Sequence, residues 1–155
     1  MRLAIAADHR GHDAASALAE RLTAREHMVR LHLSERDRAS DYPDAAWTVA
    51  RAVADGHAEL GILICGTGVG TAIAANKVRG IRAAVVHDEL TAEISRSHNN
   101  ANVVCLSADL LGQRLIEKIV DIALETEFVG GRHERRTKKI DAIEAGVDPT
   151  TLNDS

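Results

Sequence analysis

Short aliphatic runs alternate along the chain with longer stretches in which apolar residues recur every three or four positions. The first run, Leu3-Ala4-Ile5-Ala6-Ala7, reads as a strand, and Ala14, Leu18 and Leu22 mark the stripe of a helix behind it. Met28 to Leu33 is a second strand with some polar alternation, which predicts a place near a sheet edge. Asp41-Tyr42-Pro43 opens a helix, with proline at or near its first position. Leu60-Gly61-Ile62-Leu63-Ile64 is the most apolar run and predicts a central strand covered on both faces. Arg82 to Val86 and Asn102 to Leu106 supply a fourth and a fifth strand. Leu90, Ile94 and His98 share one helix face between them, and Leu111, Leu115, Ile119 and Ile122 form a stripe after the fifth. Phe128-Val129-Gly130-Gly131 reads as a hinge into a last basic helix. This rhythm predicts an α/β fold, a parallel sheet with helices on both faces. Residues 1–147 are expected to form a single domain, with 148–155 a polar tail.

Composition narrows the function. Lys and Arg number 19 against 23 Asp and Glu, a net charge of −4, so no global positive field draws nucleic acid or an anionic membrane. Trp47, Tyr42 and Phe128 are the only aromatic residues, too few for base-stacking platforms or aromatic peptide grooves. No run approaches the ~20 apolar residues of a membrane span. Asp8-His9-Arg10 interrupts the first apolar run before it reaches the length of a signal sequence. Two cysteines make no disulfide scaffold. A cytoplasmic protein is the expectation.

Ligands of open parallel sheets bind beyond the carboxyl ends of the strands. Those ends carry Asp8-His9, then Cys65-Gly66-Thr67-Gly68-Val69-Gly70, then His87-Asp88. Three glycines in five residues make a loop able to wrap a ligand, and a helix N-terminus behind it favours a cysteine thiolate. The spacing is not that of a dinucleotide fingerprint. Asp88 nevertheless lies roughly 20 residues on, where a ribose-binding acid would fall, so a nucleotide site stays a competitor. No lysine makes the loop a P-loop, and Thr71 stands where a cysteine phosphatase needs arginine. Asp8 and His9 suit proton transfer or hydroxyl binding, or Asp8 caps the next helix. His98-Asn99 ends a helix, placed near the same sheet edge, and is otherwise a histidine satisfied at the core boundary. Arg132 and Arg136, one helical turn apart on the face of Ile140 and Ile143, can grip one phosphate or carboxylate, or belong to a solvated basic helix. His9 and His12 could chelate at i, i+3, but no metal-site spacing supports them, and no metal or cofactor is expected. His27, His32 and His57 look like surface residues, and Cys105 reads as a small buried hydrophobe.

Six motifs occur in order: Asp8-His9-x-Gly11; Asp41-Tyr42-Pro43; Cys65 to Gly70 continuing through Ile73-Ala74-Ala75-Asn76-Lys77; Gly80-Ile81-Arg82-Ala83; Ser95-Arg96-x-His98-Asn99; and Gly130-Gly131-Arg132-His133-x-x-Arg136. Together they resemble the ribose-5-phosphate isomerase B family, with its galactose-6-phosphate and allose-6-phosphate relatives. The resemblance implies a Rossmann-like three-layer α/β/α sandwich with a five-stranded parallel sheet and a C-terminal helix. It also implies a homodimer or dimer of dimers with shared active sites, and metal-free aldose–ketose isomerisation of a sugar phosphate. Cys65 would be the base that moves a proton between C1 and C2; the glutamate that replaces it in some relatives would fall at Thr71. His98 would open the sugar ring, and Thr67 with the amides of Gly66, Gly68, Val69 and Gly70 would stabilise the enediolate. Asp8, His9 and Asn99 would hold hydroxyls, and Arg132 and Arg136 the phosphate.

The chain departs from that pattern in three places. Asp109 stands where the family usually has a phosphate-binding arginine, His12 replaces an aromatic residue, and Leu33 to Ser40 lacks a glycine. The resemblance makes ribose 5-phosphate/ribulose 5-phosphate the first expectation, and these departures keep other sugar phosphates open. A tetrose 4-phosphate such as erythrulose 4-phosphate, a hexose 6-phosphate, or a non-catalytic nucleotide- or sugar-phosphate-binding module are the alternatives.

Overall fold

The structure, a computed structural model, describes residues 1–35 and 39–152. The Leu33–Ser40 segment and the polar tail therefore lie partly outside the described residues. Five parallel strands are laid out in the order β2-β1-β3-β5-β4: β1 (Arg2–Ala7), β2 (Met28–Leu33), β3 (Leu60–Cys65), β4 (Ala83–Val85) and β5 (Val103–Ser107). All six residues of β3 are buried, as its unbroken apolar run predicts for the middle of a sheet. β2 is an edge strand with mostly exposed side chains.

The two faces of the sheet bury two separate aliphatic clusters. Leu3, Ile5, Ile62, Ile64 and Leu106 pack against α1 (His12–Ala24) and α5 (Gln113–Glu125). Ala4, Ala6, Leu63 and Cys105 pack against α2 (Tyr42–Ala54) and α3 (Val69–Ala75). Alternate residues of one strand thus serve opposite layers, the period-two rule of β structure. The result is the expected three-layer sandwich.

Two helices sit at the sheet's margin. In α4 (Glu89–Ser97) the buried residues are Ala92, Ser95 and Ser97, while Leu90 is 62% exposed. The Leu90–Ile94 stripe therefore looks outward, and the expectation that His98 shares a core-facing side with it is corrected. The last helix, α6 (Arg132–Glu144), enters through Gly130 and Gly131, both at positive φ. It docks beside the amino end of β4 and the carboxyl end of α4. The Glu144 carboxylate accepts from the Gly80 amide at 2.9 and 3.0 Å, and Asp141 stands 3.5 Å from Arg82. Ile140 and Ile143 are left exposed.

Candidate active site

β2 lies on one side of β1 and β3 on the other, so the chain changes winding direction between β1 and β3. A crevice opens at such a switch point, beyond the carboxyl ends of the two strands. Ala7 pairs with Ile64 there, which sets Asp8 beside Cys65. One oxygen of the buried Asp8 carboxylate accepts from the amides of Arg10 at 2.9 Å and Gly11 at 3.2 Å. Asp8 is thus a turn former rather than the cap of α1, whose N-cap is Gly11. A Cβ on Gly11 would stand 2.5 Å from the Ile64 carbonyl oxygen, so only glycine lets this turn lie against β3. The His9 amide donates to Ser40 Oγ at 3.1 Å, and its ring Nδ1 lies 3.3 Å from the Ser40 carbonyl, which ties the turn to the segment before α2.

Cys65 ends β3 and is buried. Its Sγ accepts from the Gly68 amide at 3.1 Å and lies 3.5 Å from Thr71 Oγ1, which in turn donates to the Gly68 carbonyl at 3.0 Å. Gly68 takes φ +78°, a left-handed conformation that costs other residues about 1–2 kcal/mol. A backbone donor aimed at the sulfur stabilises negative charge on it. Cys105 lies one strand over and is fully buried; burial pushes its thiol up to about 12, with the Thr71 hydroxyl opposing that rise. Cys105 is buried packing, as the sequence suggests, while Cys65 faces the glycine loop.

The loop from Gly66 to Gly70 runs into the open first turn of α3, whose amides have no preceding turn to bond. Three residues outside the expected set help to fix it. Tyr42 lays its ring on Gly70, where a Cβ would come within 2.7 Å of it. His87 places Nε2 3.1 Å from the Thr67 carbonyl, so this histidine belongs to the site's surroundings. Ser107 donates to the Gly66 carbonyl at 2.6 Å. Tyr42 carries a signal in the sequence as part of Asp41-Tyr42-Pro43, and His87 as part of the His87-Asp88 strand end, whereas Ser107 carries none. Asp88, the candidate ribose ligand of the nucleotide reading, instead caps α4 by accepting from the Thr91 amide at 2.7 Å.

His98 and Asn99 are not near this edge. They end α4, which runs back down the sheet, and Asn102 just beyond bonds Gly61 at the amino end of β3. From Gly61 to Cys65 the strand alone spans roughly 13 Å at ~3.3 Å per residue. The expectation of a shared edge is therefore corrected: helix–strand alternation places a helix's end opposite its start. His98 stacks on the buried His133 with ring centroids 4.0 Å apart, and burial, then His98, Arg132 and Arg136, hold His133 below the ordinary histidine value. Arg132 Nε bonds His133 Nε2 at 3.3 Å; neither Arg132 nor Arg136 has a carboxylate partner among the described residues. Arg82 and the half-buried Arg96 lie close by, and Asn99 faces a cavity of about 230 Å³ that Arg82 and Ile140 also line. The candidate residues thus fall into two groups: Asp8, His9 and the Cys65 loop at the carboxyl ends of the strands, and His98, Asn99, Arg132 and Arg136 toward the amino ends.

Residues 3–140 match the Ribose/Galactose Isomerase family. The chain belongs to this family. Its fold superimposes on ribose-5-phosphate isomerase B from Clostridium thermocellum with a TM-score of 0.92 and 43% identity, covering 94% of this chain and 99% of that one. The same enzyme from Mycoplasma genitalium, with ribulose 5-phosphate bound, gives 0.89 and 44% identity over 93% and 96% of the two chains. A D-erythrulose-4-phosphate isomerase from Pectobacterium atrosepticum is 48% identical over 99 residues, 64% of this chain and 65% of that protein. No described helix is long and apolar enough to cross a membrane, and no group of three or more His, Cys, Asp or Glu suited to a metal comes together among the described residues.

Proposed function

We propose that the protein interconverts an aldose phosphate and its ketose, ribose 5-phosphate and ribulose 5-phosphate first, through an enediolate. The observation that carries this reading is the Cys65 sulfur. It sits at the switch point, held by the Gly68 amide, at the start of a glycine loop. As thiolate, Cys65 takes the proton from C2 of the open-chain aldose, and the thiol returns it to C1 while the hydroxyl proton passes from O2 to O1. A carbon acid beside a carbonyl is weak, so the developing oxyanion needs donors in place; Thr67 and the loop amides of Gly66, Gly68, Val69 and Gly70 are the candidates. Asp8 and His9 hold hydroxyls.

The other half of the site comes from a second copy of the chain. His98 of that copy opens the ring, its Asn99 holds the ring oxygen, and its Arg132 and Arg136 bind the phosphate. This arrangement accounts for a base and a cationic cluster that one protomer keeps at opposite ends of its sheet. Phosphate binding remote from the reacting carbons supplies energy for positioning them.

The test is turnover in D₂O followed by NMR across tetrose, pentose and hexose phosphates. Deuterium at C2 of one aldose is expected, and Cys65→Ala should slow the exchange about 10²–10⁴-fold, the usual worth of a positioned base. Incorporation into none of them would sink the isomerase reading. A tetrose 4-phosphate is the second reading, favoured by the likeness to the erythrulose-4-phosphate enzyme and by Asp109 at the mouth of the loop.

A further inference from the structure

Asp109 and Arg10 meet at that mouth. Arg10 follows Asp8 and His9 on the β1 loop; Asp109 follows β5, 99 residues on, and the Asp109 amide donates to the Gly66 carbonyl at 3.1 Å. The Arg10 guanidinium binds the Asp109 carboxylate side-on, Nε at 3.1 and 3.0 Å and Nη2 at 2.8 Å. The pair lies flush on the loop backbone beside Cys65: a Cβ on Gly66 would stand 3.0 Å from Asp109 Oδ2, 3.2 Å from Arg10 Cδ and 3.3 Å from Arg10 Nε. Glycine at position 66 is what admits it.

An ordinary surface ion pair is held by flexible side chains and is worth little. This one differs in geometry. A bidentate carboxylate fixes the guanidinium plane and raises the affinity of Arg10 for its proton. Only one edge of the guanidinium is used: Nη1 has no hydrogen-bond partner among the described residues, and the Arg10 side chain remains 56% exposed. The result is a guanidinium of defined orientation, with donors to spare, on the wall of the reacting pocket.

We propose that Arg10, positioned by Asp109, is this protomer's own contact to the anionic end of the substrate and sets how far that end lies from the reacting carbons. The proposal rests on the isomerase reading above. Asp109 is a positioning residue: it spends its charge on the Nε–Nη2 edge and leaves the outer edge to the phosphate. The pocket so formed takes a phosphate between Arg10 on one chain and the basic α6 of the other.

The experiment compares wild type with Arg10→Ala, Arg10→Gln and the transposed pair Arg10→Ala/Asp109→Arg. It reads kcat and KM for the sugar phosphate turned over, the competitive Ki of inorganic phosphate, and phosphate binding by calorimetry. Arg10→Ala and Arg10→Gln should each raise KM and the phosphate Ki about tenfold, the worth of one charge-assisted hydrogen-bonded contact, with kcat changed much less. The transposed pair, which returns a guanidinium to the same wall from the other loop, should bring the phosphate Ki most of the way back. Unchanged KM and phosphate affinity in folded Arg10→Ala and Arg10→Gln would overturn the proposal and leave the pair a clasp between loops. If wild type turns over no sugar phosphate, the isomerase reading fails, while calorimetry on the same variants still decides whether Arg10 binds the anion.

Discussion

The environment of two sulfurs turns on a single hydroxyl. Thr71 Oγ1 donates to the Gly68 carbonyl at 3.0 Å, lies 3.5 Å from Cys65 Sγ, and also meets the thiol of Cys105. Since Gly68 is the residue whose amide reaches Cys65 Sγ, Thr71 holds the donor that holds the sulfur. Thr71→Val keeps the shape and removes the hydroxyl, leaving the Gly68 carbonyl with only the Ala72 amide at 3.2 Å. That should cost about 0.5–1.5 kcal/mol of stability and slow turnover roughly tenfold, while Thr71→Ser stays within about twofold of wild type. Thermal denaturation and kcat measure the two effects. The pH profile of Cys65 alkylation separates a lost hold on sulfur from general loosening, because only the former moves the profile. A valine variant with wild-type kcat and an unmoved profile would leave Thr71 as packing alone.

Among the elements, the contact between α2 and the Cys65 loop is the most exposed to a single change. Tyr42 opens α2 and covers Gly70, so Gly70→Ala must push the ring aside. A loss of about 1 kcal/mol is expected, the low end for an overpacked contact because the ring is partly exposed and can move. In a Tyr42→Ala background the same change should cost close to nothing; equal costs in both backgrounds would show that the ring is not what alanine meets. Strand and helix positions were legible in the sequence because their periods differ and because β3 is apolar throughout. The order β2-β1-β3-β5-β4 was not, since it depends on which way each crossover turns. Nor was the facing of α4. Spacing of Leu90 and Ile94 marks a stripe without saying where the sheet lies, and their side turned out to be the open one. Arg10–Asp109 was illegible for another reason: two surface charges 99 residues apart become a pair only once β1, β3 and β5 are neighbours. The α4–α6 junction carries its own pH signature. His133 is buried beneath His98 with its proton affinity lowered, so below pH 6.5 the unfolded chain takes up a proton that the folded chain refuses. Stability should therefore fall as pH drops from 6.5 toward the folded-state value. The urea midpoint followed over that range should show a shallower acid slope in His133→Gln; an unchanged slope would place the titration elsewhere.

At the scale of the whole molecule, Cys65 and His98 stand at opposite ends of one sheet, so the mechanism proposed above needs two chains to complete a site. Neither half is defective in itself: the loop half is closed by Asp8, Tyr42 and Ser107, and the cationic half by the His98–His133 stack and the Glu144–Gly80 tether. On the proposed mechanism each lacks only what the other has, a base on one side and a ring-opening acid with anion-binding guanidinium groups on the other. An interface that joins them twice by two-fold symmetry makes two equal sites, and the exposed Leu90, Ile94, Ile140 and Ile143 beside the cationic half are apolar surface available for it. Complementation tests this without any structure of the assembly. Cys65→Ala and His98→Asn should each be inactive as homodimers. After they are unfolded together and refolded, half the dimers of a random mixture are mixed. Each mixed dimer joins one intact loop half to one intact histidine half, so roughly a quarter of wild-type activity should return. Mixing without refolding should restore activity only as fast as subunits exchange. If co-refolded protein stays as inactive as its parents while size-exclusion chromatography shows that mixed dimers form, then both residues act within one chain. The fold would then have to bring the two ends of its sheet together by a motion of α4 and α6.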